Sequence, residues 1–319
     1  MGMPRVQQAF SNMDQLAKLG GANLTDCIRL TVFVTDMYRW RPFVNNVTQE
    51  LWKDVAPNYP ARTIVEVQRL NDDDIVEIEG TFYLGDQSIG TKLPSYSESQ
   101  GFILIYPQTT KYSSCWDVNN AGSLTHGGSG DALGIISMVN YTLNKYNGDK
   151  AKVYVMGGSS GAMMSNVMVG SYPDVFEAGA AYSGSAFGCF AGSKGDPTPM
   201  GSNQTCAQGL THTPAEWAQF VYNAYPGYTG KRPRFLVAHG LADSLVRPTC
   251  GYEQLKQWST VLGVTNTANQ TGSSVDEGAA YTKMIYGDSN KLVGYFGQGV
   301  GHIAPPVEPV LLKFFGITS

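Results

Sequence analysis

Val6, Phe10, Met13 and Leu16 recur at the spacing of one helical face, and two glycines follow. PRVQQAFSNMDQLAKLGG therefore reads as an amphipathic helix closed by glycine. CIRLTVFVTDM is rich in β-branched residues and reads as a strand. RPFVNNVTQELWKDVAP reads as a second helix, stopped before Pro60. TIVEVQRL and DIVEIEGTFYL approach the period-two alternation of strands and are joined through NDDD. The first ninety residues thus run helix, strand, helix, strand, strand.

From about residue 92 the pattern changes. FILIYP is a short apolar run of the kind found in a buried strand, and residues 131–147 have helical periodicity. KVYVMG, FEAGAAYSG, RFLVAHG and KLVGYFGQG are predicted strands. Residues 161–171, LTHTPAEWAQFVYNAY and YEQLKQWSTVLG are predicted helices, the second with Thr213 as its cap. Strands alternating with helices predict a mostly parallel sheet covered on both faces, an α/β architecture. The Gly/Asn/Thr-rich stretch 262–279 reads as a surface loop. The change of pattern divides the chain into segments 1–91 and 92–319.

Composition narrows the field. The chain has 319 residues, 42% of them hydrophobic, enough for one large core or two modest ones. With a formal charge of −4 and no basic run, nothing recruits nucleic acid or an anionic membrane surface electrostatically. No apolar stretch reaches the roughly 18 residues of a membrane span. The start, MGMPRVQQAFSNMDQ, lacks the apolar core of a signal peptide. Three Asn-x-Ser/Thr sites of the second segment (Asn140, Asn203, Asn269) point the other way, towards a secreted ancestry, which leaves extracellular and cytoplasmic settings both open. The five cysteines form no C-x-x-C and no metal-like cluster with histidine; Cys189 and Cys206 bracket a Gly/Pro/Ser-rich loop that suits a disulfide. No metal or cofactor is implied.

The candidate chemistry lies in VMGGSSGAMM. Gly157-Gly158-Ser159-Ser160-Gly161 matches G-x-S-x-G between a predicted strand and a predicted helix. Glycines there permit a tight turn that exposes the Ser159 hydroxyl at a helix N-terminus, with Ser160 facing away and its backbone N–H available to an oxyanion. A serine nucleophile needs a base, and the base an orienting acid. Asp243, in HGLADSLV, and His302, in GQGVGHIAPP, each follow a predicted strand, and their order after Ser159 is that of α/β-hydrolases. His239 reads as a packed residue supporting its loop, His126 and His212 as solvated, and Asp131 as a cap for the helix it opens. The second oxyanion donor is unassigned; the nearest His-Gly-Gly run, at His126, does not directly follow a core strand.

GFILIYP, SSCWDV, GGSGDALGI, VYVMGGSSGAMMSNVM, YPDVFEAGAAYSG, HGLADSLV and GQGVGH together resemble carbohydrate esterase family 1, the acetylxylan and feruloyl esterases, and the related polyhydroxybutyrate depolymerases. That resemblance covers residues 92–319. It implies an α/β-hydrolase with Ser159, Asp243 and His302 as triad, Trp116 lining the cleft, no cofactor, and an ester-bearing polysaccharide or small ester as substrate. The family pattern also has opening strands and a cysteine-bearing HG loop that supplies the second oxyanion donor. Neither is found in this chain, so the resemblance implies a truncated sheet with a gap between FILIYP and KVYVMG and a single Cys115.

LTDCIRLTVFVTDM, FVNNVTQELW, YPARTIVEVQRL and VEIEG, within residues 5–84, resemble the C-terminal part of the RidA/YjgF imine deaminases, an α+β, chorismate-mutase-like fold also lacking its first strands here. The resemblance implies functional positions at Asn45, Arg62 and Glu77, the arginine gripping a carboxylate, in trimers with sites between subunits. IVEIEGTFYLG has its natural place in this half-sheet; the alternative is that it fills the gap in the second sheet. Three functional readings stand: a serine carboxylesterase, an inactive fusion or misjoined gene product, and an imine deaminase.

Overall fold

In the computed structural model, which describes residues 2–19, 24, 27–53, 60–70, 74–82, 91–109, 115–194, 204–274, 281–287 and 291–318, the chain divides into two units, Met1–Thr91 and Lys92–Ser319. The first contains α1 (Gly2–Leu19), β1 (Cys27–Val34), α2 (Met37–Leu51), β2 (Ala61–Glu66) and β3 (Val76–Phe82). β1 is the middle strand, parallel to β2 and antiparallel to β3. Alternate β1 residues Leu30, Val32 and Val34 form one core cluster with Val6, Phe10 and Met13 of α1 and Val44 and Val47 of α2. Leu16, expected on the buried face, is 69% exposed, and Ala17 is buried instead. At about 100° per residue, position 17 continues the row through 6, 10 and 13, while 16 falls near its edge. Asp36 caps α2 by accepting from Arg39 N at 3.0 Å. Val76–Phe82 of IVEIEGTFYLG lie in this sheet as β3 and so do not fill the second, while residues 83–85 lie outside the described residues. The NDDD connection, the end of the second helix run before Pro60 and the Asn203 site lie outside the described residues.

The second unit contains α3 (Leu93–Gln100), α4 (Asp131–Tyr146), β4 (Tyr154–Gly158), α5 (Ser160–Ser171), β5 (Ala178–Tyr182), α6 (Gln204–Ala207), α7 (Pro214–Ala224), β6 (Arg234–Gly240), α8 (Pro248–Val261), β7 (Gln270–Ser274), β8 (Tyr281–Tyr286), β9 (Leu292–Gly297) and α9 (Glu308–Phe315). Its six-stranded sheet has the order β4-β5-β6-β9-β8-β7; β4, β5, β6 and β9 are parallel, and β8 and β7 return antiparallel. This is the mostly parallel α/β sheet predicted. One face carries a core built with α4, α5, α7 and α8, the other a smaller core built with α9 and Leu93 of α3. Each fully buried Leu or Phe contributes about 1.5–3 kcal/mol. β5, AGAAY, is buried at every position, and its small residues let α5 approach closely. α5 itself is buried nearly all round, as an apolar helix without a polar face must be.

Two expectations are corrected here. FILIYP is not a strand. Phe102 and Leu104 pack on one core and Ile105 on the other, as a strand's alternation would place them, yet among the described residues the only backbone hydrogen bond of 102–107 is Phe102 N to Ser97 O. A strand is defined by its ladder, and no described strand pairs with this segment. β4 correspondingly ends the sheet order. Second, part of the stretch expected as a loop, Gln270–Ser274, is β7, recruited by β8 as the sheet's antiparallel edge. Thr213 caps α7 as expected, in a reciprocal capping box with Glu216. A disulfide joins Cys189 and Cys206; closing a loop of that length stabilises by about 3 kcal/mol in the chain-entropy account.

Candidate active site

β4 ends and α5 begins across a single residue, Ser159. Its backbone is left-handed, with φ 52 and ψ −120, and its N–H donates to Tyr182 O at 2.9 Å. A side chain at Gly157 would put a carbon 2.3 Å from the Gly161 backbone, so only glycine closes this turn. The strain is the local signature of a serine forced outward at a helix N-terminus.

Asp243 follows β6 and is fully buried. Its Oδ1 accepts from Leu245 N at 3.0 Å and Val246 N at 2.9 Å, which fixes the carboxylate within its own turn. His302 follows β9. A side chain at Gly240 would place a carbon 2.2 Å from Val300 O; glycine there lets the loop carrying His302 close onto the end of β6, where Ala242 N donates to Val300 O at 2.9 Å. His302 Nδ1 lies 2.8 Å from Asp243 Oδ2, and His302 Nε2 lies 2.8 Å from Ser159 Oγ. A carboxylate can only accept, so Nδ1 carries the proton and Nε2 offers its lone pair to the serine hydroxyl. Three residues far apart in sequence thus meet at the C-terminal ends of β4, β6 and β9, forming a continuous relay from carboxylate to hydroxyl.

Ser160 opens α5, and its N–H belongs to the first helical turn, where no carbonyl inside the helix accepts it. The Ser160 hydroxyl faces away from the relay and accepts from Trp116 N at 2.8 Å. That bond ties the half-buried Trp116 to α5, the helix that Ser159 precedes. The next residue anchors the segment to α4. Asp117 is buried, accepts from Ser123 Oγ at 2.5 Å, and exchanges bonds with Asp131: Asp131 N donates to both Asp117 oxygens at 3.2 Å, and Asp117 N donates to Asp131 Oδ2 at 2.9 Å. Asp131 is therefore not the cap of α4; the residue at its N-cap is Gly130, and Asp117 takes the first N–H from outside the helix. Sequence spacing gave no sign of this, because the partner is 14 residues upstream. His126 packs against Tyr225 with ring centroids 3.7 Å apart and sits 2.8 Å from Ser171 O, so it is a packing residue.

Beneath the relay, His239 is fully buried at the end of β6. Its Nε2 lies 2.8 Å from Val246 O and 3.5 Å from Asp243 Oδ2. Burial holds its pKa below the ordinary 6.5, opposed by its bond to Val246 and the charge of Asp243. The folded value being the lower one, below about pH 6.5 the unfolded chain takes up a proton that the folded chain refuses. Stability is therefore intact above the ordinary value and lost as pH falls from there towards the folded value, by about 1.4 kcal/mol per unit. The urea midpoint of the parent should fall more steeply between about pH 7.5 and about pH 5.5 than that of His239→Gln, which has no ring to protonate. Parallel slopes would show that His239 titrates normally. Nearby Cys250 is buried, with its thiol pushed up to about 12, so it is neutral.

Of the residues singled out in the first unit, Asn45 and Arg62 meet and Glu77 does not join them within one chain. Arg62 donates to Asn45 Oδ1 at 2.7 Å and Thr48 Oγ1 at 3.0 Å. It lies opposite Leu30 of β1, on the core face, whereas Glu77 lies opposite Phe33, on the other face. Cross-strand partners share a face and neighbours alternate, so Arg62 and Glu77 point to opposite sides of the sheet. Desolvation and then the charge of Arg41 lower the Arg62 pKa. Among the described residues no three His, Cys, Asp or Glu cluster as metal ligands, and no helix is long and apolar enough to cross a membrane.

Comparison with known proteins finds two families along the chain, with matches that overlap at residues 72–83. Residues 72–269 match the family described as esterase PHB depolymerase, and residues 3–83 match endoribonuclease L-PSP. Feruloyl esterase B of Neurospora crassa is 61% identical over 230 residues, 72% of this chain and 77% of that protein. The solved acetyl xylan esterase of Aspergillus awamori is 40% identical, with a TM-score of 0.67 over 72% of this chain and 82% of that one. The solved RidA of the Antarctic bacterium Psychrobacter sp. PAMC 21119 is 29% identical, with a TM-score of 0.23 over 25% of this chain and 61% of that one.

Proposed function

The chain belongs to the esterase PHB depolymerase family, and from that premise we propose that residues 92–319 form a serine carboxylesterase acting on feruloyl or acetyl esters of plant polysaccharide such as xylan. The observation that carries this reading is the relay of two 2.8 Å contacts from Asp243 through His302 to Ser159. The names of the similar proteins supply the substrate class, and the 61% identity with a feruloyl esterase favours feruloyl over acetyl.

In this mechanism Ser159 Oγ attacks the ester carbonyl while His302 Nε2 takes its proton. Asp243 holds the imidazole tautomer and balances the imidazolium charge. The Ser160 N–H donates to the developing oxyanion. His302 returns the proton to the leaving sugar oxygen, the acyl group stays on Ser159, and a water molecule deprotonated by His302 releases the free acid. Trp116, bonded to Ser160, lines the cleft in this reading. The Cys189–Cys206 disulfide supports an oxidising, extracellular setting.

Diethyl p-nitrophenyl phosphate tests the nucleophile directly. Attack by Ser159 Oγ on phosphorus forms an O–P bond and expels p-nitrophenolate. Peptide mapping should find a single diethylphosphoryl group, on Ser159. A folded protein left unmodified, or modified at another residue, would remove the nucleophile from this reading. Turnover of methyl ferulate against p-nitrophenyl acetate then decides the acyl preference.

A further inference from the structure

His239 carries a cost that packing does not explain. It is fully buried, and its Nδ1 has no hydrogen-bond partner. A phenyl ring would fill the same volume beside Phe296 without an unpaired ring nitrogen, at the cost of the bond to Val246 O. The other nitrogen shows what the imidazole provides. Val246 O can only accept, so the proton sits on Nε2. That N–H also lies 3.5 Å from Asp243 Oδ2, the oxygen that accepts from His302.

We infer that His239 is a positioning residue: its Nε2–H, shared between Val246 O and Asp243 Oδ2, holds the Asp243 carboxylate in register with His302. The inference rests on the esterase reading of the relay. Val246 closes the arrangement, since its N–H donates to Asp243 Oδ1 while its carbonyl accepts from His239. The carboxylate is thereby gripped through both oxygens, with one grip anchored on β6. The ring acts as a neutral dipole. A proton on Nδ1 would bury an N–H against Gly251 of α8 without an acceptor, so His239 does not become a second cation competing with His302 for Asp243. The titratable groups around the ring are Asp243, from the turn after β6, and His302, from the loop after β9; Cys250 of α8, beside Asp243, is a neutral thiol.

Two variants and one spectroscopic measurement test this. His239→Phe keeps the ring volume and removes the N–H; His239→Gln can return an N–H near the Nε2 position. For p-nitrophenyl acetate, the Phe variant should lose about tenfold in kcat with KM little changed. Its kcat/KM acid limb should move up by about half a pH unit, because a carboxylate without the N–H dipole attracts the His302 imidazolium more strongly. The Gln variant should recover most of the loss. Long-range 15N–1H spectra of the parent, labelled at histidine, should show His239 as the Nε2–H tautomer throughout the neutral range. The low-field Nδ1–H signal of His302 should be displaced in the Phe variant and restored in the Gln variant. An Nδ1–H or titrating His239 overturns the inference. So does a Phe variant with parental kcat and acid limb, or equal kcat losses in both variants with the acid limb unmoved. If the parent shows no Ser159-dependent turnover, the esterase reading fails, and the spectra still decide whether His239 positions Asp243.

Discussion

Ser159→Ala is expected to lower the hydrolysis of p-nitrophenyl acetate by about 10³–10⁴ in kcat, in protein whose circular dichroism is unchanged. In a complete triad, loss of the serine costs about 2 × 10⁶. The relay here is complete, with both contacts at 2.8 Å, but only one oxyanion donor, the Ser160 N–H, is assigned. A missing second donor removes about 10²–10³ from the parent rate. The catalysis left in the variant also draws on the oxyanion hole, so the ratio between parent and variant shrinks by up to the same factor. A ratio near 10⁶ would mean that another group completes the oxyanion hole. A ratio of one would end the esterase reading of this chain. Folding should survive the change: the Ser159 side chain makes no capping bond to α5, and its backbone bonds to Tyr182 and Met163 remain.

The relay was legible in the sequence because each member sits just past a strand whose apolar run is unmistakable. VYVMG, RFLVAHG and KLVGYF became β4, β6 and β9, and their C-terminal ends share one edge of a parallel sheet whatever the loops between them do. The glycines at 157 and 240 could be seen as well, although what they accommodate, the backbones of Gly161 and Val300, could not. FILIYP failed for the opposite reason. Its composition suits a strand, but hydrogen-bonded pairing is a property of two segments, and periodicity reads one at a time.

The least legible features are buried polar groups whose partners lie far along the chain. Asn166 donates to Gln254 at 2.8 Å and accepts from Trp258 Nε1 at 2.7 Å, joining α5 to α8 inside the core. Glu253 accepts from Trp217 Nε1 at 2.6 Å and pairs with Lys256. In sequence these residues resemble ordinary polar faces of helices. Burial is what turns each bond into a requirement, because an unpaired partner in the core costs about 1–3 kcal/mol. His239 belongs to this group, and so does the Asp117 cap of α4. The first unit shows the complementary limit: Arg62 bonds Asn45, while strand alternation sends Glu77 to the other face, and motif letters carry neither fact.

Asp243→Asn should be nearly as damaging as removing the nucleophile, and for a reason the geometry makes specific. Asparagine can keep its carbonyl oxygen at the Oδ1 position, still accepting from Leu245 N and Val246 N, so the turn and the fold are expected to hold. The amide NH₂ then occupies the Oδ2 position, facing His302 Nδ1. A donor there forces the imidazole into the tautomer with its proton on Nε2, which points at Ser159 Oγ and can no longer accept the hydroxyl proton. In a worked triad the same change costs about 10⁴ in kcat; the expectation here is about 10³–10⁴, with KM little altered. The opposite orientation, with the amide turned to the backbone, would set NH₂ against two N–H groups in a fully buried pocket, and that clash keeps the damaging rotamer in place. Asp243→Ala is the contrasting variant. It should lose activity comparably and also unfold at lower urea, since it strands Leu245 N and Val246 N without an acceptor. Near-parental activity in Asp243→Asn would mean that the carboxylate does not hold the His302 tautomer, and the proton relay would have to be redrawn without it.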